Sequence, residues 1–419
     1  MEKLKLAIVG FGNRGQLFGE YAAGDETAEL VAIADVNENA REKAEKEFGV
    51  KKERCYKSAE EFFAQGKIAD AAFICTQDAE HRAHAITALK LDYDICLEKP
   101  IAATLEDCEE ILRVQKQTGK KAMICHVLRY SHFYMRLKEI IKSGELGDVV
   151  TISQTENVAY WHDAHSYVRG AWRNKEQSSP MILAKCCHDL DIIFWLLGKK
   201  CLKVSSFGDL YYFKEKNAPE GSAAYCVDCS AETRKNCPYD AFKIYNDIYK
   251  AYNPILGNAT EFRTGRKEYI DNLLTEKPNL YGRCVFRCDN DVVDHQVVNM
   301  LFEDGITAQL TMTAFSKDCH RCIKIHGTLG EIEADMEENK IRVLPFRGED
   351  YTIDLSKEFE DFSVHGGGDK LLYEDFLAYI RGGAPTETRT TLEDSLISHR
   401  MSFAAEDSRL SGGKPFDIC

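Results

Sequence analysis

Gly10, Gly12 and Gly15 form a G-x-G-x-x-G loop between the apolar run LAIVG and a helical pattern that starts near Arg14. In such a loop the first glycine permits a tight turn, the second lets a pyrophosphate approach the backbone, and the third lets helix pack on strand. The helix N-terminus then faces the phosphates, with Asn13 and Arg14 beside them. Asp35 closes the next apolar run, LVAIAD, where its carboxylate accepts hydrogen bonds from a ribose diol and repels a 2'-phosphate. NAD is favoured over NADP, which Arg14 leaves open. A glycine turn that binds nothing is the bland alternative, and the strand, the helix and Asp35 around the loop weigh against it. Glu98-Lys99-Pro100 follows the run YDICLE and puts a lysine at the carboxyl edge of a parallel sheet, where open α/β folds bind ligands. An exposed loop lysine ahead of a strand-stopping proline is the competing reading.

Together with Thr76-Gln77-Asp78 and His81, these features resemble the Gfo/Idh/MocA oxidoreductases. The likeness continues in SGELGDVV, similar to that family's entry into its open-faced sheet, and in CHDLDIIFWLLG, similar to its active-site helix. It covers nearly the whole chain, the cysteine-rich segment being less typical. The resemblance implies that Lys99 lies beside the nicotinamide and the substrate hydroxyl, with Thr76, Asp78, His81 and Glu98 along the cofactor. The family commonly carries Asp, three residues, His, then Asp three further on. Aligned on His188 and Asp191, this chain has Ala184 where the first Asp belongs, and Lys185 beside it is the candidate to share the polar work. Hydride removal from a secondary alcohol needs a base for the hydroxyl proton. His188 is the candidate base, and Lys99 the group that stabilises the developing alkoxide. A histidine satisfied at a helix start is the structural alternative. The implied activity is NAD-dependent oxidation of a sugar, glycoside or cyclic polyol. A glycosidase that oxidises its substrate transiently is the second reading, because Gly12-Asn13-Arg14-Gly15 also resembles such relatives. A non-catalytic ligand sensor or partner subunit is the third. Relatives pair through the exposed face of the second sheet, which implies a homo-oligomer.

The stretch from Glu156 and Asn157 through His162, His165, Tyr167 and Arg169 to Trp172 mixes hydrogen-bonding and aromatic groups, as a polyhydroxylated ring requires. Arg129 and Tyr130 are further substrate candidates, and a polar surface loop is the plain alternative. His365-Gly366-Gly367-Gly368-Asp369, ahead of a helix at Lys370, is either a cleft lining or a helix-entry loop. Cys226-x-x-Cys229, Cys237 and Cys288, with Cys284 as an alternative to Cys288, have types and spacing compatible with a structural zinc ion. A reduced, buried cysteine cluster fits equally.

Strand-like runs alternating with helical patterns from LAIVG to KAMICH predict a doubly wound parallel Rossmann sheet in residues 1–125, with Thr104 capping the helix before KAMICH. VVTISQTE and the long runs VDHQVVNMLFE, TAQLTMTAFS and RCIKIHGTLGEIEAD predict an α+β domain with an open, mostly antiparallel sheet in residues 126–419. Residues 213–283, rich in Tyr, Asn, Pro and Cys, read as an insertion over it. With 419 residues, 44% of them hydrophobic, the chain fills two cores. The net charge of -14 opposes nucleic acid. No run approaches the ~20 apolar residues that span a bilayer. The first residues pass directly into a strand without a signal-peptide pattern, so the expected location is the cytoplasm, with most of the 16 cysteines reduced.

Overall fold

A parallel sheet buried on both faces needs short, nearly continuous apolar strands. The computed structural model, which describes residues 2–249, 266–360 and 362–418, forms them as β1 (Leu4–Val9), β2 (Ala28–Ala34), β3 (Cys55–Tyr56), β4 (Ala71–Ile74), β5 (Asp94–Leu97) and β6 (Ala122–Ile124). They pair in parallel in the order β3-β2-β1-β4-β5-β6. Alternation along β1 divides the packing: Leu6 and Ile8 enter one apolar cluster, Ala7 and Val9 the opposite one. Thr104 caps the helix Leu105–Thr118 as its position predicts, its hydroxyl accepting the Asp107 N–H.

The second sheet comprises β7 (Val149–Ala159), β8 (Cys201–Asp209), β9 (His295–Phe302), β10 (Thr307–Ser316), β11 (His320–Gly327), β12 (Gly330–Asp335), β13 (Lys340–Pro345), β14 (Tyr351–Asp354) and β15 (Phe416–Asp417). Its order is β14-β13-β12-β11-β7-β10-β9-β8-β15, antiparallel throughout except for the parallel pair β7 and β10. The fold is therefore α/β, a Rossmann sheet plus an open, mostly antiparallel one. RCIKIHGTLGEIEAD is not a single strand but the hairpin β11–β12, in which Ile325 faces Ile332 and His326 faces Glu331. Beyond the last register pair the turn reads Gly327-Thr328-Leu329-Gly330, with glycine at both ends.

The C-terminal helices return to the first sheet. Leu372, Tyr373 and Phe376 of the helix Gly368–Ile380 pack with Leu6 and Phe73, while Leu392 and Leu396 of the helix Leu392–Leu410 pack with Ile95 and Leu97. Within 213–283 the described residues carry short helical turns and a separate apolar cluster around Tyr239, Tyr245, Ile270 and Leu274. Residues 250–265 of that segment lie outside the described residues. Among the described residues no helix is long and apolar enough to cross a membrane.

One buried ion pair locks the helix Cys187–Leu197 to the turn Val127–Tyr130: Arg129 Nε and Nη2 donate to Asp191 Oδ2 and Oδ1 at 2.7 and 2.5 Å. Burial pulls the Arg129 proton affinity down, but Asp191 outweighs it and holds the guanidinium above its ordinary value. Asp191→Ala would leave that cation buried without its partner, and we expect a loss of about 3–5 kcal/mol in chemical denaturation. An unchanged midpoint would show that the pair carries no net stability.

Candidate functional site

The three loop glycines have three distinct surroundings. Gly10 adopts φ +89°, and a Cβ there would stand 2.5 Å from the Cys75 carbonyl oxygen. A Cβ at Gly15 would meet the Gly10 carbonyl oxygen at 2.1 Å, so nothing larger than glycine lets this helix approach β1. At Gly12 a Cβ would meet nothing within 4 Å. The helix Asn13–Ala23 begins there without a side-chain cap, leaving its first amides for an external acceptor. Asp35 is fixed at the end of β2 by the Phe11 and Asn37 N–H groups, at 2.6 and 2.7 Å. It borders a pocket of about 430 Å³ that Gly10, Gly12, Val36, Thr76 and Gln77 also line. Val36 is left 85% exposed there, an apolar platform for a flat base. Phosphate space at Gly12, a diol acceptor at Asp35 and an apolar face at Val36 together fit an adenine dinucleotide.

Arg14 does not face a 2'-phosphate position. Its guanidinium binds Glu98 Oε1 at 2.6 Å and Asp369 Oδ1 at 2.7 Å, tying the glycine loop to the lysine segment and to a C-terminal helix. His81 lies buried between two carbonyls, Pro100 O at 2.7 Å from Nδ1 and Thr76 O at 3.0 Å from Nε2, which fixes the two loops to each other. Asp78 reaches the second half of the chain, accepting from Ser179 Oγ at 3.1 Å and Trp172 Nε1 at 3.4 Å. These residues position the loops around Lys99.

Lys99 crosses between the halves of the molecule: its Nζ donates to the main-chain carbonyl of Ala184 at 2.9 Å. A backbone oxygen thus meets the ammonium at Ala184, the position at which the resemblance implies a carboxylate in relatives. Four residues on, His188 is buried, with Nδ1 unpartnered. Burial, then Lys99, His126, His365 and Arg321, hold its pKa well below the ordinary 6.5, so the ring is neutral and able to accept a proton. His126 and His365 stand 5.5 and 6.0 Å from it, centroid to centroid, and His365 Nδ1 meets Asp369 Oδ2 at 2.9 Å. The glycine-rich 365–369 segment therefore reaches this site.

Lys185 pairs with Glu156 at 3.2 Å, and Glu156 with Arg321 at 2.7 Å. Arg321 continues to Asp189 at 3.0 Å, which also accepts from the Gln154 amide at 2.7 Å. Burial raises Asp189 to about 6 against the pull of Arg321. Half-buried His162 is pushed well below its ordinary pKa by burial and by Lys185. Arg321 was not singled out by motif, although its place in the strand was a signal: it shares the buried face of β11 with Ile323 and Ile325.

Several expected substrate contacts face elsewhere. Arg129 and Asp191 are spent on each other. The Tyr130 hydroxyl donates to Asp375 at 2.7 Å. His165 bonds the Tyr245 hydroxyl at 2.9 Å and stacks on Tyr281. Arg169 is fully buried on the Arg283 and Tyr239 carbonyls, both at 2.7 Å. Each makes its main polar contacts inside the protein rather than with the space around Lys99. Nor are the cysteines drawn into a closed cage. Among the described residues the group of three candidate ligand atoms within 4.8 Å of one another is His320, Asp335 and Glu337. Cys226, Cys229, Cys237 and Cys284 line one small cavity, whereas Cys288 points its thiol at the Cys284 carbonyl, 3.3 Å away.

Residues 4–126 match the Gfo/Idh/MocA oxidoreductase family's NAD-binding Rossmann fold, and residues 138–415 match its C-terminal alpha/beta domain. The Bacillus subtilis protein YteT is 25% identical over 326 residues, 73% of this chain and 71% of that protein. Inositol 2-dehydrogenase of Salmonella typhimurium is 27% identical over 206 residues, 48% of this chain and 57% of that protein. In fold, the chain is similar to scyllo-inositol dehydrogenase from Lactobacillus casei, solved with NAD(H) and scyllo-inositol, with a TM-score of 0.67, 18% identity, and 100% and 99% of the two chains covered.

The glycine surroundings generate a paired prediction. Gly12→Val should leave the denaturation midpoint within about 0.5 kcal/mol and weaken NAD binding, read by protein fluorescence, at least about tenfold. Gly15→Ala should instead destabilise by about 1–3 kcal/mol. Equal effects of the two substitutions on stability would contradict the assigned roles.

Proposed function

The chain belongs to the Gfo/Idh/MocA oxidoreductase family, and on that premise we propose that it oxidises a secondary hydroxyl of a sugar or cyclic polyol, using NAD. The observation that carries the reading is the convergence of Lys99, from the edge of the Rossmann sheet, with neutral His188 of the second half beside the Ala184 carbonyl. Asp35 at the ribose position, and the engagement of Arg14 by two carboxylates, support NAD over NADP. What the dinucleotide supplies when bound is a hydride acceptor; the remaining work falls to the chain.

His188 takes the hydroxyl proton. Its depressed pKa keeps it unprotonated at neutral pH, so no proton must first be lost for it to act as a base. Lys99 stabilises the oxygen as charge develops there, and the Ala184 carbonyl aims the ammonium. Lys185, held by Glu156, and half-buried His162 are positioned to bind neighbouring hydroxyls. The names of relatives support the substrate class, since inositol dehydrogenases recur among them.

The test is a screen of sugars and cyclic polyols for NADH absorbance with the purified protein. On a substrate found in this way, Lys99→Ala should lower kcat about 10²–10³-fold while leaving NAD affinity nearly unchanged. For the wild type, activity should be retained as pH falls to the ordinary histidine value of 6.5 and be lost only below it, because the base protonates at a depressed pKa. His188→Ala should flatten that acid limb. Near-normal turnover by Lys99→Ala would sink the assignment, and product formation without net NADH would point to transient oxidation instead. Asp35→Ala should narrow the preference for NAD over NADP, and a clear NADP preference in the wild type would reverse the cofactor reading.

A further inference from the structure

The cysteine segment takes no part in the chemistry above, yet its construction is specific. Cys226 and Cys229 flank a single helical turn. An isolated bridge between Tyr225 and Arg283, with Cys226 N donating to Gly282 O and Cys284 N to Ala224 O, both at 2.9 Å, sets Cys284 alongside Cys226. Cys237 follows the helix Ala231–Asn236 and completes, with these three, the wall of a cavity of about 20 Å³. That volume admits one water-sized body.

Two further observations concern charge. Two of the sulfurs receive donors as well as facing carbonyls: the Ala223 N–H points at Cys229 Sγ at 3.3 Å and Arg169 Nη2 at Cys226 Sγ at 3.7 Å, while Cys229 Sγ and Cys226 Sγ lie 3.6 and 3.9 Å from the Tyr225 and Arg283 carbonyls. A neutral thiol is a weak acceptor, whereas a thiolate is a natural target for such N–H groups. Arg169 itself is 0% exposed, lines the same cavity and keeps Nη1 without an acceptor. Among the described residues no carboxylate forms an ion pair with it. A buried guanidinium needs an anion nearby; Asp240 on the same cavity wall is paired with Arg234, and of the other acidic groups around Arg169, the Tyr245 phenol and the thiols of Cys226, Cys284 and Cys288, the thiols ionise more readily. Thiolates left to themselves would repel one another; a divalent cation among them removes the repulsion and leaves a net negative centre for Arg169.

We propose that Cys226, Cys229, Cys237 and Cys284 form a tetrathiolate site for one zinc-class divalent ion, with Arg169 as its buried counter-cation. Binding releases the thiol protons to solvent, and no electron transfer is involved. No three of these sulfurs lie within 4.8 Å of one another among the described residues. Zinc–sulfur bonds of about 2.3 Å therefore require the turns to contract around the ion. Such a tie would order a segment built of short turns.

The experiment uses the full chain, purified without a metal-chelating resin. Elemental analysis should find about one zinc per chain, released in step with mercurial modification of the thiols in the presence of a zinc-binding dye. Cobalt(II) exchange should give thiolate-to-metal charge-transfer absorption. Cys229→Ser with Cys237→Ser should reduce bound zinc below about a tenth of the wild-type content, whereas His320→Ala, in the exposed carboxylate-rich group, should not change it. Folded wild-type protein free of metal overturns the proposal, as does zinc retained by the double variant. If the double variant does not fold, the cobalt spectrum of the wild type decides: the charge-transfer band supports the site and its absence overturns it. Zinc content and NADH production are separate readouts, so either idea can fail alone.

Discussion

The hydrogen bond from Lys99 to the Ala184 carbonyl is the constraint around which the rest of the site is arranged. It spans two sheets that share no strand, so a small shift of one against the other would break it. Neighbouring ties prevent that shift. Arg14 clamps the residue before Lys99 to a C-terminal helix, His81 holds the carbonyl of the residue after it, and Asp78 bonds to Ser179 and Trp172 on the far side. On the opposite bank, Arg129 and Asp191 fix the helix that carries His188. Because most of these ties are buried, water competes weakly for them and each is stronger than its surface equivalent.

A main-chain carbonyl, not a carboxylate, receives the Lys99 ammonium at Ala184. Among the described residues no carboxylate pairs with Lys99, and after burial its charge is the largest influence holding His188 below its ordinary pKa. Lys185 does not fill the gap, since Glu156 binds it and Arg321 and Asp189 continue the chain of alternating charge. A lysine beside the vacant position would otherwise oppose the first; paired to Glu156, it serves as a donor without adding a second free charge.

What was legible in the sequence follows from how far each residue's partners lie along the chain. Gly15 is local, since a Cβ there would meet Gly10 and Ile8, whereas the contact that excludes a side chain at Gly10 comes from Cys75, 65 residues on; there the motif spacing, not the partner, announces the glycine. Thr104 needs only Asp107, three residues on. By contrast, Arg129 reaches 62 residues to Asp191, Tyr130 reaches 245 to Asp375 and Arg169 reaches 114 to Arg283. Their polar chemistry was visible, but whether it faced a ligand or the protein depended on tertiary neighbours. The β11–β12 hairpin is a different case: Gly327 and Gly330 bracket its turn and were the signal available in the sequence.

The cysteine segment leaves the second sheet after β8 and rejoins it at β9, where Asp209 and His295 are already register partners. Its two ends are pinned together by the sheet itself, and the entropy of closing a loop grows only logarithmically, about 0.6 kcal/mol per doubling of length. Residues 210–294 can therefore be lengthened, shortened or exchanged during divergence without sliding a strand. His165 and Arg169, from the stretch that follows β7, tie the segment down from the other side. The segment thus hangs from a fixed hinge in the sheet, and its length is set independently of the register that aligns β8 with β9.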